Sequence, residues 1–380
     1  MYHAAAYIHD EISLYNASKA MAGLLELAEL GEITLRLTDR GFAAPHPAVF
    51  QLTVAEDDGE PQRAAIDLLD RSDVVDFATL ASCDVYFKRS YFQADLAKLS
   101  QQSWLRPQTA KIRPWGLNFP CLVPALKSRR WKLLARCFWK RSLRALVRGP
   151  QAARAVAQEM RQFACLPAAA QFEADPGEPL EPIVVFQTRL WEPHEAAPDD
   201  AAAVNRMRVE VVRALRQALS TAFVGGLVST PLARREHPGE VVPPQQSRMV
   251  NYAALSRRAL IGVYTRGLHH STAFKLPEYL AGSKAVVAEG LRNQTPTPLE
   301  RGLHWAEFRD ADECVLECRR LLADHERCAA MRQASAEYYR LHVAPQAHLR
   351  WTLAEACAAR PASAAAPRLV TQEPELARSL

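Results

Sequence analysis

The chain has 380 residues, of which 49% are hydrophobic and 23% charged, and a formal net charge of +5. That length and apolar content exclude wholesale disorder and a single small module, and suit two domains of ordinary size. The charge is local. Nine of the 47 Lys and Arg residues fall within 127–148 with no acid among them, leaving 38 basic residues against 42 acidic elsewhere, so the patch points to a partner rather than to solubility. The eight cysteines have no framework spacing, residues 1–10 lack a basic and apolar leader, and no apolar run reaches about eighteen residues. A cytoplasmic chain without a membrane-spanning helix is the expectation.

Residues 4–8 form an apolar run suited to a buried strand, followed by His9, Asp10 and Glu11. Ser13 can cap a helix in which Leu14, Ala17, Met21, Leu24, Leu25 and Ala28 recur at helical spacing, ended by Gly31. A second strand at 33–37 completes a βαβ unit, which favours a parallel sheet. Further strands are expected at 49–54, 64–69, 84–87 and 109–113, giving an N-terminal Rossmann-like domain over 1–165. Within it, 127–163 is helical in pattern and 127–148 basic.

An Ala-, Pro-, Glu- and Gly-rich linker occupies 166–182. The buried-type strand at 183–186 opens a second α/β domain, 183–345. Its first helix, 199–220, carries Val204, Val211, Val212, Leu215 and Leu219 on one face, and a strand at 222–224 ends in Gly225-Gly226. Strands at 259–264 and 285–288 and helices at 311–323 and 325–341 follow. Pro345 breaks the chain before a last helix, 346–358, and the tail 359–380 is expected to be disordered.

The segment Lys275-Leu276-Pro277-Glu278-Tyr279-Leu280-Ala281-Gly282-Ser283-Lys284-Ala285-Val286-Val287 carries the most information. Pro277 suits the start of a short helix, and a Val-rich strand follows Gly282. Glu278 in the first turn can accept hydrogen bonds from a diol, although it would equally serve to stabilise the helix dipole. This segment resembles one in group 1 GT-B glycosyltransferases, and the likeness extends over about 183–355. The resemblance implies two Rossmann-like domains facing a cleft, with a C-terminal crossover helix.

On this resemblance the donor is a nucleotide-diphosphate sugar, with no other cofactor and no metal. Glu278 holds the ribose, while Arg189, Lys275, His270, Gly225 and Gly226 surround the donor. The family's usual partner glutamate, eight residues before Glu278, is here His270. An inverting transfer needs a base, for which Asp10 and then His9 stand at the first strand's end. Lys88, Arg89, Arg113 and Asn118 are further candidates for an acceptor cleft.

Asp310-Ala311-Asp312 has the form of a metal-binding DxD, but helix capping explains it better. Trp131, Phe138 and Trp139 interleave with the cations of 127–148, a combination suited to an anionic membrane surface. No nucleic-acid module surrounds it. The function implied is a metal-independent, hexosyltransferase-type glycosyltransferase acting on a glycan or lipid-linked acceptor of cell-surface polysaccharide or lipopolysaccharide type, peripheral on the inner face of the plasma membrane. A sugar-nucleotide epimerase of the same fold and a non-catalytic assembly protein are the alternatives.

Overall fold

The computed structural model describes residues 1–57, 59–101, 105–195 and 197–359. Apart from Ala359, the tail expected to be disordered lies outside them. β1 (Tyr2–Tyr7), α1 (Leu14–Glu29) and β2 (Ile33–Thr38) form the expected parallel unit, and Ser13 caps α1 by accepting the Asn16 N–H. β3 (Val49–Glu56) departs from the parallel expectation, pairing antiparallel with both β1 and β4 (Gln62–Asp67). The connection from β3 to β4 is too short for a crossover, so the chain turns back as a hairpin. Short helices α2 (Phe77–Ser82), α3 (Gln93–Leu99) and α4 (Arg106–Thr109) accompany the parallel strands β5 (Val85–Lys88) and β6 (Ile112–Pro114). The strand order is β2-β1-β3-β4-β5-β6.

The basic region is α5 (Pro124–Arg148), and Gly149-Pro150 separates it from α6 (Pro150–Ala164). Gly149 has a φ of 108° and Pro150 cannot continue α5, so the two helices fold onto each other and onto α1. Residues 166–182 then run along the seam between the sheets. Leu166, Ala169 and Phe172 are buried there, and the Ala174 N–H donates to the Ala281 carbonyl at 3.1 Å.

The second sheet contains β7 (Glu181–Thr188), β8 (Phe223–Leu227), β9 (Ala259–Tyr264), β10 (Ala285–Glu289) and β11 (Ala306–Phe308). They are parallel, in the order β11-β10-β9-β7-β8. Helices α7 (Pro198–Leu219), α8 (Pro231–Glu236), α9 (Met249–Arg258), α10 (Lys275–Ala281), α11 (Ala311–Ala323) and α12 (His325–Tyr338) connect and flank them. The connections reverse direction between β7 and β9, so the topological switch point lies at their carboxyl ends.

Gly225 and Gly226 are inside β8 rather than beyond it, paired with Phe186 and Gln187. A Cβ on Gly225 would stand 2.0 Å from the Phe186 carbonyl oxygen, and both residues have φ values near 145°. β8 can approach β7 this closely only without a side chain at Gly225, whereas a Cβ on Gly226 would stand 2.5 Å from the Glu240 carbonyl oxygen on the side away from Phe186.

The helical run breaks at Ala344, next to the expected position, and Pro345 itself opens α13 (Pro345–Ala358), one residue ahead of the expected start, because its fixed φ and missing N–H suit a first helical position. α13 crosses back onto α1, β3 and β4. A Cβ on Gly23 of α1 would lie 2.2 Å from the Pro345 carbonyl oxygen, so the contact depends on glycine. Two Rossmann-like α/β domains thus pack together, tied by α13.

Beneath that contact, fully buried Lys19 donates to the Leu117 carbonyl and meets Nδ1 of fully buried His348. Burial pushes the Lys19 ammonium down to about 7 from an ordinary 10.5. Lys284, whose Nζ donates to the Arg257 carbonyl at 2.8 Å, is pushed to about 7 for the same first reason. Between pH 7 and 10.5 the unfolded chain therefore binds protons that the folded chain does not, and these groups make stability rise with pH. The urea midpoint is expected to climb from pH 7 to about pH 9, with Lys19→Met removing part of the climb. A wild-type midpoint independent of pH over that range would overturn the assignment.

Candidate functional site

Lys275 and Glu278 are one turn apart on α10, which starts at Lys275, two residues before the expected Pro277. Pro277 is tolerated in this first turn because the N–H it lacks has no intrahelical partner there. Glu278 is 2% exposed, and its Oε2 accepts from Lys275 Nζ at 3.0 Å. The same Nζ stands 3.1 Å from the centre of the Tyr252 ring, whose face attracts a cation. Burial pushes the Glu278 carboxyl up and the Lys275 ammonium down, and each partner opposes the other's shift. A carboxylate has about four lone-pair positions, and Lys275 occupies one of them.

Tyr279, next in sequence, lies flat on β9. A Cβ on Gly262 would be 2.6 Å from its ring, so Gly262 sets how closely α10 sits on the sheet.

At the switch point a buried arginine from α7 joins the two strand ends. Arg208 donates to the Arg189 carbonyl at 2.6 Å after β7, and to the Arg266 carbonyl at 3.0 Å and Thr265 Oγ1 at 3.3 Å after β9. Burial lowers its pKa to about 10. The Arg189 guanidinium stacks 3.7 Å from the centre of the Trp191 ring and pairs with Glu195 at 2.8 Å. Arg266 pairs with Asp200 at 2.7 Å, and the other Asp200 oxygen accepts the His269 N–H at 2.6 Å. His269 and His270 both have φ of 56°, a strained conformation for histidine. Burial, then Arg266 and Arg292, hold the His270 imidazole below its ordinary pKa, so it is neutral near pH 7.

The first domain meets this site through Tyr15 and Arg89. Tyr15 packs edge-on against Phe274 at 6.1 Å between ring centres. Its hydroxyl is pushed up to about 12 by burial, then by the Glu278 charge, with Arg189 opposing. Arg89, beyond β5, donates to the Thr272 carbonyl at 2.8 Å and lies over the Phe274 ring at 4.6 Å. Arg292 pairs with Asp95 at 2.7 Å, closing a second contact between the domains.

Other expected residues are placed differently. Asp10 pairs with Arg144 of α5. His9 is buried, and its Nδ1 accepts the Glu11 N–H at 3.2 Å while Nε2 has no partner. In the neutral ring this puts the proton on Nε2, which makes His9 a donor. Lys88, expected to line a cleft, is instead fully buried and pairs with Asp67 at 2.8 Å, because as the last residue of β5 it stands directly beside Asp67 of β4 within the sheet. Arg113 bonds the Ala110 and Ile112 carbonyls of its own segment, and Asn118 donates to the Asn16 carbonyl at 3.0 Å. Asp310 caps α11 by accepting the Glu313 N–H at 2.8 Å. Among the described residues no three His, Cys, Asp or Glu side chains cluster as metal ligands would.

Sequence reasoning passed over Arg208, Tyr15 and Tyr252. Arg208 had a readable signal, because it interrupts the Val204 to Val212 stripe at the spacing of a buried position.

On α5, Leu133, Leu134, Cys137 and Phe138 are buried, whereas Trp131, Trp139, Leu143, Leu146 and Val147 are exposed. Trp131 is 62% and Val147 90% exposed. Among the described residues no helix is long and apolar enough to cross a membrane.

No protein-family model matches the chain, and no curated protein matches it. Solved structures to which it is similar include a glycosyltransferase from Rickettsia africae, at 10% identity and a TM-score of 0.36, covering 91% of this chain and 96% of that one. Another is the C-terminal domain of a glycosyl transferase group 1 family protein from Francisella tularensis, at 11% identity and a TM-score of 0.29, covering 42% and 84%. A third is the Anabaena protein HepE in complex with UDP, at 12% identity and a TM-score of 0.34, covering 74% and 80%. Likenesses of this size carry no functional argument.

Arg208→Met is expected to leave two buried carbonyls unpaired and to destabilise the chain by about 3 kcal/mol, with faster amide exchange at Arg189 and Arg266. An unchanged exchange pattern would show that the strand ends do not depend on this guanidinium.

Proposed function

We propose that the chain is a glycosyltransferase moving a sugar from a nucleotide-diphosphate donor to a glycan or lipid-linked acceptor. The observation that carries this reading is the buried Lys275–Glu278 pair under the switch-point loop, opposite Tyr15 and Arg89 of the other domain. Glu278 would accept the two ribose hydroxyls through the positions Lys275 leaves open. Arg189 and Lys275 would neutralise the diphosphate as the bond from the anomeric carbon to the leaving oxygen breaks, where negative charge develops. Neutral His270 would donate to the donor without adding charge. Gly225 would contribute by bringing β8 against β7, and Gly226 by admitting the Glu240 backbone beside β8, rather than by touching the donor.

In an inverting transfer Asp10 is the proposed base, and its pair with Arg144 must open before it takes the acceptor proton. His9, with its proton on Nε2, would orient the acceptor instead. The Arg89–Thr272 and Arg292–Asp95 contacts would keep water from the donor while the domains are together.

α5 supports the lipid-linked or membrane-proximal form of the acceptor. Its exposed tryptophans and aliphatics flanked by Lys132, Arg136 and Lys140 suit the interface of an anionic bilayer.

Two measurements test these proposals. UDP, GDP, ADP and their hexose conjugates should be screened by thermal shift; at least one should stabilise the chain, and Glu278→Gln should weaken that ligand at least tenfold. Stabilisation by none of them would count decisively against a transferase. For the surface, replacing Lys132, Arg136 and Lys140 with Gln should reduce binding to phosphatidylglycerol vesicles on the order of a hundredfold, from about 1 kcal/mol per cation. Trp131→Ser with Trp139→Ser should reduce it further, and unaltered binding in both variants would remove the membrane from the proposal.

A further inference from the structure

We infer that a cavity of about 490 Å³ between the end of β1 and the α5–α6 hairpin binds a phosphorylated sugar headgroup. As the place where an acceptor is held, the inference rests on the transferase reading above. The cavity opens beside the loop following β1, at the carboxyl end of the parallel β1–β2 pair, the edge on which ligands collect in open α/β sheets. Glu11 and Ser13 come from that loop, Arg141, Arg144 and Arg148 from α5, and Glu159 from α6.

The arginines repeat along one side of α5 over two turns, so their guanidinium groups converge on a single space. Arg141 is held over the Phe138 ring at 4.9 Å and by Glu159 at 2.7 Å, yet its Nη1 is buried without a hydrogen-bond partner. A buried unpaired donor is costly, and an oxygen acceptor arriving from outside relieves it. Arg148, exposed at the rim, is in no ion pair among the described residues. Two guanidinium forks with spare N–H groups match the oxygens of a phosphate.

The acids decide what else the ligand must carry. Glu11 and Glu159 line the same cavity, and they repel a bare polyanion while accepting hydrogen bonds from hydroxyls. A ligand with both a phosphate and a hydroxyl-bearing ring satisfies both signs, whereas inorganic phosphate or a neutral sugar satisfies only one. Such a group can come from a soluble sugar phosphate or from a lipid headgroup. The cavity lies beside the half of α5 that also exposes Leu143, Leu146 and Val147.

The test is calorimetry on the full chain with glucose 1-phosphate, inorganic phosphate and glucose as probes, beside vesicles of phosphatidylcholine containing either phosphatidylinositol or phosphatidic acid, which carries the phosphate without a hydroxyl-bearing ring. Glucose 1-phosphate or the phosphatidylinositol vesicles should bind at least tenfold more tightly than their single-feature controls; the first result assigns a soluble ligand and the second a lipid headgroup. Arg141→Gln should abolish that preference. Arg148→Gln, on an exposed rim position where folding is not at stake, should reduce it at least tenfold.

Equal affinity for all probes, or an unchanged preference in Arg148→Gln, overturns the inference. UDP binding in the same variants separates the two readings. UDP retained without any sugar-phosphate preference removes the cavity and leaves the donor site. A sugar-phosphate preference without nucleotide binding keeps the cavity and removes the transferase reading.

Discussion

Lys19 is the point on which the two-domain arrangement hangs. It comes from α1, the carbonyl it reaches belongs to Leu117 beyond β6, and the imidazole it meets belongs to His348 on α13. Three segments distant in sequence therefore converge on one amine with no solvent contact. The proton inventory is consistent only one way. His348 Nε2 lies 2.6 Å from the Trp115 carbonyl, so that nitrogen carries the proton and Nδ1 accepts from Lys19. A neutral amine has two N–H groups, and both find acceptors here; a protonated one would have a third, with only the Trp115 ring face nearby at 5.3 Å. The lowered pKa follows from that geometry as well as from burial. Moving α13 would break this set together, which gives the crossover helix a fixed seat on the first domain.

A fixed seat for α13 gives the cleft its geometry. The same return of the chain carries Tyr338 and Tyr339 into the shared core with Phe119, Phe172 and Leu276, so the two sheets are joined by packing as well as by covalent linkage. Against this frame, Arg208 fixes the strand ends of the second sheet and allows the loop after β9 to hold two histidines at positive φ. Such backbone strain persists only where surrounding groups over-determine it. Asp200, Arg266 and Glu289 do so here, since Asp200 takes the His269 N–H and Glu289 takes the Arg266 N–H at 2.9 Å.

Much of this was legible in the sequence because it is periodic. The βαβ start, the basic helix and the KLPEYLAGSK segment all declare themselves through spacing, and α10 with its Lys275–Glu278 pair lies within two residues of expectation. The antiparallel β3 was not legible from strand pattern alone, because a strand's apolar content does not state its direction; only the shortness of the connection to β4 does. The break before the last helix was legible in Pro345, and because proline begins helices as well as ending them, α13 starts one residue earlier than expected. Lys19 left no signal: α1 is buried on nearly every side from Ala17 to Leu25, so there was no polar face from which a lysine could be seen to depart. The pairing of Asp10 with Arg144 could not be read either, because it depends on where α5 lands.

α5 shows how one helix divides its surface. Burying Leu133, Leu134, Cys137 and Phe138 is sufficient to dock it on the first domain. Singly scattered exposed apolar residues need no explanation, but Trp131, Trp139, Leu143 and Leu146 follow at intervals of three, four or eight and so share a face. That face contributes nothing to folding the monomer. A phosphate backbone would engage the flanking cations and leave the stripe wet, whereas a bilayer interface takes up tryptophan, aliphatic side chain and ammonium at adjacent depths. Arg141 and Arg144 follow Leu134, Cys137 and Phe138 at intervals of three, four and seven, so they continue the buried face on the side of α5 opposite the stripe and turn toward the loop that follows β1. One helix would thus offer its apolar stripe to a surface on one side and its arginines to the cavity beside the β1 loop on the other. A headgroup reaching the cavity would therefore have to pass around the end of α5 and not across it.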